Sequence, residues 1–175
     1  SGPLPVGAND MAREYRILSR LNRSFPLAPL SPVFCENPSV IGAPFLLIEY
    51  REGRVVRSEL PVGLADTATQ RLELASRAVN VLVQLHALEP EKVGLHDLGR
   101  PAGMAARQAR NWALRAHEAF GSGMSQDLHA ISEWLSRPAP LPQRASILHS
   151  DFKFDNLIIS QTTAEPVALI DWDMG

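Results

Sequence analysis

Apolar residues along the 175-residue chain change their spacing several times, and each change marks an element. Over residues 8–24, Met11, Glu14, Leu18 and Leu21 recur at intervals of three and four. That spacing predicts an amphipathic helix with one carboxylate, Glu14, on its largely apolar face. Three prolines within 26–32 cannot continue a helix and predict a loop. Val33–Glu36 and Pro44–Tyr50 read as strands around a turn at Asn37-Pro38-Ser39. Arg51–Arg54 reads as a second turn and Val55-Val56 as a short strand. Residues 67–88 predict a helix capped by Asp66, with Leu74, Ala78, Leu82 and Leu85 as its stripe. Val79, Val81 and Val83 broaden that stripe into a face wide enough to be buried. His86, at its end, reads as structural. Pro101–Phe120, with Trp112 among its contacts, and 124–136, with Leu128, Ile131 and Leu135 in register, predict two further helices. Prolines 138, 140 and 142 end the last of these. Leu157-Ile158-Ile159 and Val167-Ala168-Leu169-Ile170 read as two strands, each beside a polar cluster.

The two clusters carry the chemistry. The first is His149-Ser150-Asp151-Phe152-Lys153-Phe154-Asp155-Asn156; the second is Ile170-Asp171-Trp172-Asp173. Mg²⁺ prefers hard oxygen ligands, which Asn156 and Asp171 supply. A separate carboxylate, Asp151, can orient or deprotonate an attacking hydroxyl. His149, Asp151 and Asn156 match the kinase catalytic-loop spacing H-x-D-x-x-x-x-N, and Asp171 falls where a metal-binding Asp would follow. Each residue alone is more often a turn or cap residue; together at this spacing they point to phosphoryl transfer.

These motifs resemble the aminoglycoside phosphotransferase and choline-kinase-like family. Ser150 in place of Arg after the His, and Trp172-Asp173 in place of Phe-Gly after the metal Asp, resemble its small-molecule branch rather than protein kinases. The family more often has Gly at the position of Ser150. Arg13-Glu14-Tyr15-Arg16-Ile17-Leu18 and Ile41–Tyr50 are similar to the branch associated with acyl-CoA dehydrogenases. The resemblance implies an α+β, protein-kinase-like, two-lobed fold, with 1–57 as part of the small lobe and hinge and 58–175 as part of the large lobe. It implies ATP and Mg²⁺ as cofactors and a small-molecule hydroxyl as acceptor. Asp151 would be the catalytic base, His149 an organiser of the loop, and Lys153 a contact to the transferred phosphate. Asn156 and Asp171 would hold Mg²⁺. Glu14 would be the helix Glu that pairs with a strand Lys. Glu49, Tyr50 and Arg51 would form the hinge whose backbone meets adenine, with Ile48 guarding the back of that pocket.

Composition narrows the setting. A formal charge of −2 gives no reason to expect nucleic acid or an anionic membrane as partner. No apolar run approaches a membrane span of about 20 residues. Cys35 is the one cysteine, so no intrachain disulfide forms, and a reducing, cytoplasmic setting is expected. The only lysines are Lys92 and Lys153, so none precedes Glu14, and no Gly-rich phosphate loop does either. With the chain stopping just after Asp171, the expectation is a fragment, inactive alone, of a longer phosphotransferase. Substrate identity and oligomeric state are not written in these residues. Two other classes fit parts of the pattern. One is a non-catalytic, pseudokinase-like binding module. The other is a metal-dependent hydrolase using His149, Asp151, Asp171 and Asp173, which needs a richer His or bridging-carboxylate shell.

Overall fold

A computed structural model describes residues 10–57, 63–137 and 144–173. Helix α1 spans Met11–Leu21, and Asp10 caps it by accepting a hydrogen bond from the Arg13 N–H at 2.9 Å. Its apolar face buries Ile17, Leu18 and Leu21. The expected helix start at residues 8 and 9 lies outside the described residues. Strands β1 (Val33–Cys35) and β2 (Phe45–Leu47) form an antiparallel pair. Tyr15 of α1 stacks on Phe34 of β1, with ring centroids 5.6 Å apart.

A second sheet is antiparallel in the order β3 (Arg54–Val55), β4 (Leu157–Ile159), β5 (Pro166–Leu169). β3 therefore begins one residue inside the segment expected to be a turn. Gly53 explains the close pairing. A Cβ there would lie 2.5 Å from the Ile158 side chain and 2.7 Å from the Ile159 carbonyl oxygen, so no larger residue fits. β4 alternates as a half-covered strand should, with Leu157 and Ile159 buried and Ile158 partly exposed.

Helix α2 spans Ala68–Ala87. Its N-cap is Thr67, not Asp66. Thr67 and Gln70 form a reciprocal capping box, while Asp66 accepts from the Gly63 N–H instead. The buried seam is Leu74, Ala78, Val81 and Leu85, so Val81 takes the place expected for Leu82. Val79 and Val83 are more than half exposed, and the covered stripe is narrower than the valines suggested. α2 lies against β5, and Arg77 ties the two regions through the Thr163 carbonyl and an ion pair to Glu165 at 3.2 Å.

Of the described residues, those up to Leu95 together with those from Ser146 form one compact unit; His96–Ala145 form another. The second unit contains α3 (Met104–Phe120) and α4 (Gln126–Leu135), the latter capped by Ser125. α3 starts three residues after the expected Pro101, because Gly103 adopts a left-handed conformation ahead of it. Neither helix buries a residue. Trp112, expected among packed contacts, is 61 % exposed with Arg115 over its ring, and Ile131 and Leu135 are exposed as well. Prolines 138, 140 and 142 lie outside the described residues.

Candidate active site

The site is built on the turn before β4 and the residues after β5. His149 enters from a buried segment through Ile147 and is 1 % exposed. Its Nε2 lies 2.9 Å from the Ile170 carbonyl oxygen, so that nitrogen carries the proton and donates. Nδ1 is then the unprotonated nitrogen and has no hydrogen-bond partner among the described residues. The ring sits 4.6 Å from Trp172 and meets Phe152 edge-on at 6.4 Å. Burial pushes the His149 pKa below its ordinary value, against the pull of the Ile170 carbonyl and of Asp151. The neutral imidazole is thus a fixed link between the two polar clusters.

Ser150 takes φ +65°, the left-handed turn that swings the chain from buried His149 to the surface at Asp151. The Asp151 Oδ2 accepts from Lys153 Nζ at 2.7 Å and from Asn156 Nδ2 at 3.0 Å. Asn156 Nδ2 also donates to the Asp151 backbone carbonyl at 2.9 Å. The Lys153 hydrogen bond, with help from Asn156, holds the Asp151 carboxyl below the usual carboxylate range, while Asp151 raises the lysine. Asn156 is 5 % exposed and sits at the end of a one-turn 3₁₀ segment, Phe154–Asn156, that leads into β4. With its amide nitrogen committed to Asp151, its remaining side-chain group is the oxygen, a hard donor suited to Mg²⁺.

Asp171 follows β5 with φ +69°, a conformation that Asp tolerates better than most residues. Its pKa is raised, first by desolvation, then by a hydrogen bond and charge from Asp173 and by the charge of Asp151; Lys153 opposes this. Three carboxylates and one ammonium therefore share a single electrostatic neighbourhood, the kind of excess negative charge that a divalent cation relieves. Trp172, between the two acids, is fully buried and donates its indole N–H to the Leu169 carbonyl at 2.8 Å. Its backbone N–H donates to Glu14 Oε1 at 3.4 Å. Burial raises the Glu14 pKa; the Trp172 N–H lowers it, and Asp171 and Asp173 raise it further. Glu14, 158 residues away in sequence, thus lies against the acidic cluster.

The expected hinge residues lie elsewhere in the same unit. The Glu49 N–H donates to the Leu30 carbonyl at 2.7 Å, so this backbone donor is taken. The Glu49 carboxylate accepts from the Leu30 N–H at 3.1 Å and from Arg51 Nη2 at 2.8 Å, and the Leu30 bond leads in lowering its pKa. Ile48 is 46 % and Tyr50 85 % exposed. β2 ends at Leu47, three residues before the expected Tyr50.

Among the described residues, no group of three or more His, Cys, Asp or Glu is arranged to hold a metal ion. His149 belongs to no such group, so the hydrolase reading gains no support from the described residues. A separate concavity of about 530 Å³ is lined by Ser19, Arg20, Arg23, Ser24, Lys92, Val93 and Gly94. Two of its cations are engaged, Arg20 by the Gly94 carbonyl and Lys92 by Glu89. Sequence reasoning passed over the Trp172 backbone N–H, and it saw Asp173 only as added negative charge, not as a hydrogen-bond partner of Asp171. A bulky aromatic between two acids at a strand end was the available signal that the strand's end is buried.

Known proteins resemble this chain along nearly all of its length. Acyl-CoA dehydrogenase family member 10 of Mus musculus is 31 % identical over 176 residues, which is 100 % of this chain and 16 % of that protein. Acyl-CoA dehydrogenase family member 11 of Gallus gallus is 31 % identical over 178 residues, covering 99 % of this chain and 22 % of that one. The chain spans less than a quarter of either relative. A solved structure of a candidate aminoglycoside phosphotransferase from Ralstonia eutropha JMP134 superposes with a TM-score of 0.80 at 26 % identity, over 96 % of this chain and 50 % of that one. Macrolide 2′-phosphotransferase type I superposes with a TM-score of 0.61 at 20 % identity, over 95 % and 54 %, and shows the fold alone. The α+β architecture is therefore the protein-kinase-like one of the aminoglycoside phosphotransferases, in part. Residues 3–175 match the phosphotransferase enzyme family, and the chain belongs to it.

Proposed function

We propose that the protein carrying this chain transfers the γ-phosphoryl group of ATP to a hydroxyl of a small molecule. The observation that carries this reading is the grouping of Asp151, Asn156 and Asp171 on one patch, with Glu14 reaching the same loop through the Trp172 N–H. In the transfer a bond forms between the acceptor oxygen and the γ-phosphorus, and the bond from that phosphorus to the β-bridging oxygen breaks, releasing ADP. Asp151 orients the acceptor hydroxyl and receives its proton. Its low pKa keeps it ionised near neutrality, so its contribution is placement first and basicity second. Asn156 and Asp171 would hold Mg²⁺, which supplies neutralisation of phosphate charge when bound. Two protein oxygens suit an ion that usually keeps several waters and substrate phosphates as its other ligands. Lys153, paired with Asp151 at 2.7 Å, would contact the transferred phosphate. His149 fixes the loop. Glu49, Tyr50 and Arg51 form the adenine hinge, through backbone groups other than the Glu49 N–H, and Ile48 guards the back of that pocket. The division into a small lobe and hinge (1–57) and a large lobe (58–175) belongs to this reading.

The acceptor class follows from the relatives' names. A domain shared with acyl-CoA dehydrogenase family members fits a hydroxyacyl-type acceptor better than an aminoglycoside or a choline-like alcohol. The test is ADP release by the protein that carries this chain, supplied with hydroxyacyl and aminoglycoside acceptors. Asp151→Asn should lower turnover by about 10² or more with nucleotide affinity kept, whereas Asp171→Ala should weaken Mg²⁺-nucleotide binding. Undiminished turnover in Asp151→Asn would remove the base and the reading with it.

A further inference from the structure

The loop between α1 and β1 does more than reverse the chain. Pro26, Pro29 and Pro32 restrict its backbone, and Asn22 Nδ2 braces it by donating to the Ala28 carbonyl at 2.6 Å. On one side it grips the segment that carries Asp171. The Leu169 N–H donates to the Leu27 carbonyl at 2.7 Å, two residues before Asp171, and the Phe25 ring meets Trp172 edge-on at 6.3 Å. Phe25 and Ala28 are buried. On its other side the same loop grips the segment after β2. Leu30 exchanges two hydrogen bonds with Glu49, one to the backbone and one to the carboxylate. Buried Ser31 donates through Oγ to the Leu47 carbonyl at 2.9 Å. Arg51 Nη2 bridges the Pro26 carbonyl at 3.2 Å and the Glu49 carboxylate at 2.8 Å.

We infer that residues 22–31 are a strut that sets the separation between the Glu49–Arg51 backbone and Asp171, with the Arg51 and Ser31 side chains as its positioning residues. This rests on the nucleotide reading above. A ligand that touches only one end of the strut is indifferent to its stiffness. A ligand that must reach both ends, with a base at one and a metal-bound phosphate at the other, gains from having the two sites pre-set. The side chains of the hinge thus act on nucleotide without touching it.

The experiment is calorimetric titration of the protein that carries this chain with adenosine and, separately, with Mg-ATP, alongside amide hydrogen exchange at Leu169. The variants are Arg51→Ala, Ser31→Ala and Arg51→Lys. Arg51→Ala and Ser31→Ala should each weaken Mg-ATP by about fivefold or more, while adenosine changes by less than about twofold. Leu169, untouched by either change, should exchange faster. Arg51→Lys keeps the charge near Glu49 and should recover part of the Mg-ATP affinity. Equal weakening of adenosine and Mg-ATP would assign these side chains to the base site alone and overturn the strut. So would unchanged Mg-ATP affinity in both alanine variants, or Leu169 exchange equal to that of the parent protein; these leave the nucleotide reading standing. A parent protein that binds neither ligand overturns the nucleotide reading itself, and the strut's role falls with it.

Discussion

The acidic cluster and residues 48–51, the proposed hinge, are held in opposite ways. Behind Asp151 and Asp171 stand His149, Asn156 and Trp172, all buried, and each has a hydrogen bond to backbone or carboxylate. The carboxylates reach the surface, where exposed Lys153 meets Asp151, while these three side chains behind them are inside. At the hinge the order reverses. Ile48 and Tyr50 are exposed, and the segment is tied down by hydrogen bonds from Leu30, Ser31 and Arg51 at its flank. Carboxylates that must hold a fixed spacing call for a packed backing. A strand edge that offers main-chain groups needs only its register kept.

Changes made on either side should expose this contrast. The largest effect is expected at Trp172. Trp172→Ala removes a fully buried ring that touches both His149 and Phe25, and should destabilise by about 3–5 kcal/mol. Tyr50→Ala at the hinge should shift stability by no more than about 0.5 kcal/mol. Chemical denaturation of the two variants checks both; a comparable loss at Tyr50 would erase the distinction.

Acid should also act on the buried backing. The His149 pKa is lowered from 6.5, so below that pH the unfolded chain takes up a proton that the folded chain resists. Its contribution to stability is complete above 6.5 and is lost as pH falls below it. Asp151, lowered from 3.8, adds a similar loss at lower pH. Glu14 and Asp171 are raised and work the other way: their contribution is present at low pH and is lost as pH rises through their folded pKa values. Because Glu14 and Asp171 oppose it, the His149 share is read as a difference: between pH 7 and 5 the urea midpoint of the parent should lose ground relative to that of His149→Gln. An unchanged difference would mean that the imidazole is not the group being protonated.

The smallest effect concerns the turn itself. Ser150 occupies the left-handed region, where glycine is unstrained. Ser150→Gly should raise stability by about 0.5–1 kcal/mol, the usual relief for a non-glycine residue placed there. A thermal melt shows the sign, and a lower midpoint would mean that the serine side chain contributes more than its strain removes.

The grouping of Asp151 with Asn156 was legible because it is local. Asp151 and Asn156 are five residues apart, and a one-turn 3₁₀ segment is enough to join them. The strands on either side followed from their apolar runs. The Glu14 contact to Trp172 was not legible as a hydrogen bond, because it spans 158 residues and ends on a backbone N–H that any residue type could supply. The cap of α2 was misplaced by one residue: Asp66 and Thr67 both cap well, and Gln70 three residues after Thr67 decides between them. The α2 face was drawn too wide because valines mark apolar positions without saying which of them find a partner. The same holds for α3 and α4, whose periodicity gave the helices correctly but whose apolar residues, Trp112 among them, are not buried.

Asp171 stands at φ +69° and carries the carboxylate proposed for Mg²⁺. Asn and Gly are the other residues most at ease in that backbone, and neither carries a charge. Glu would keep the charge but fits the turn poorly. In a saturation library at this position, the variants that fold well and the variants that keep an anionic oxygen would form two sets with a single shared member. A screen for expression alone would enrich Asn and Gly, and a screen for phosphoryl transfer would return aspartate.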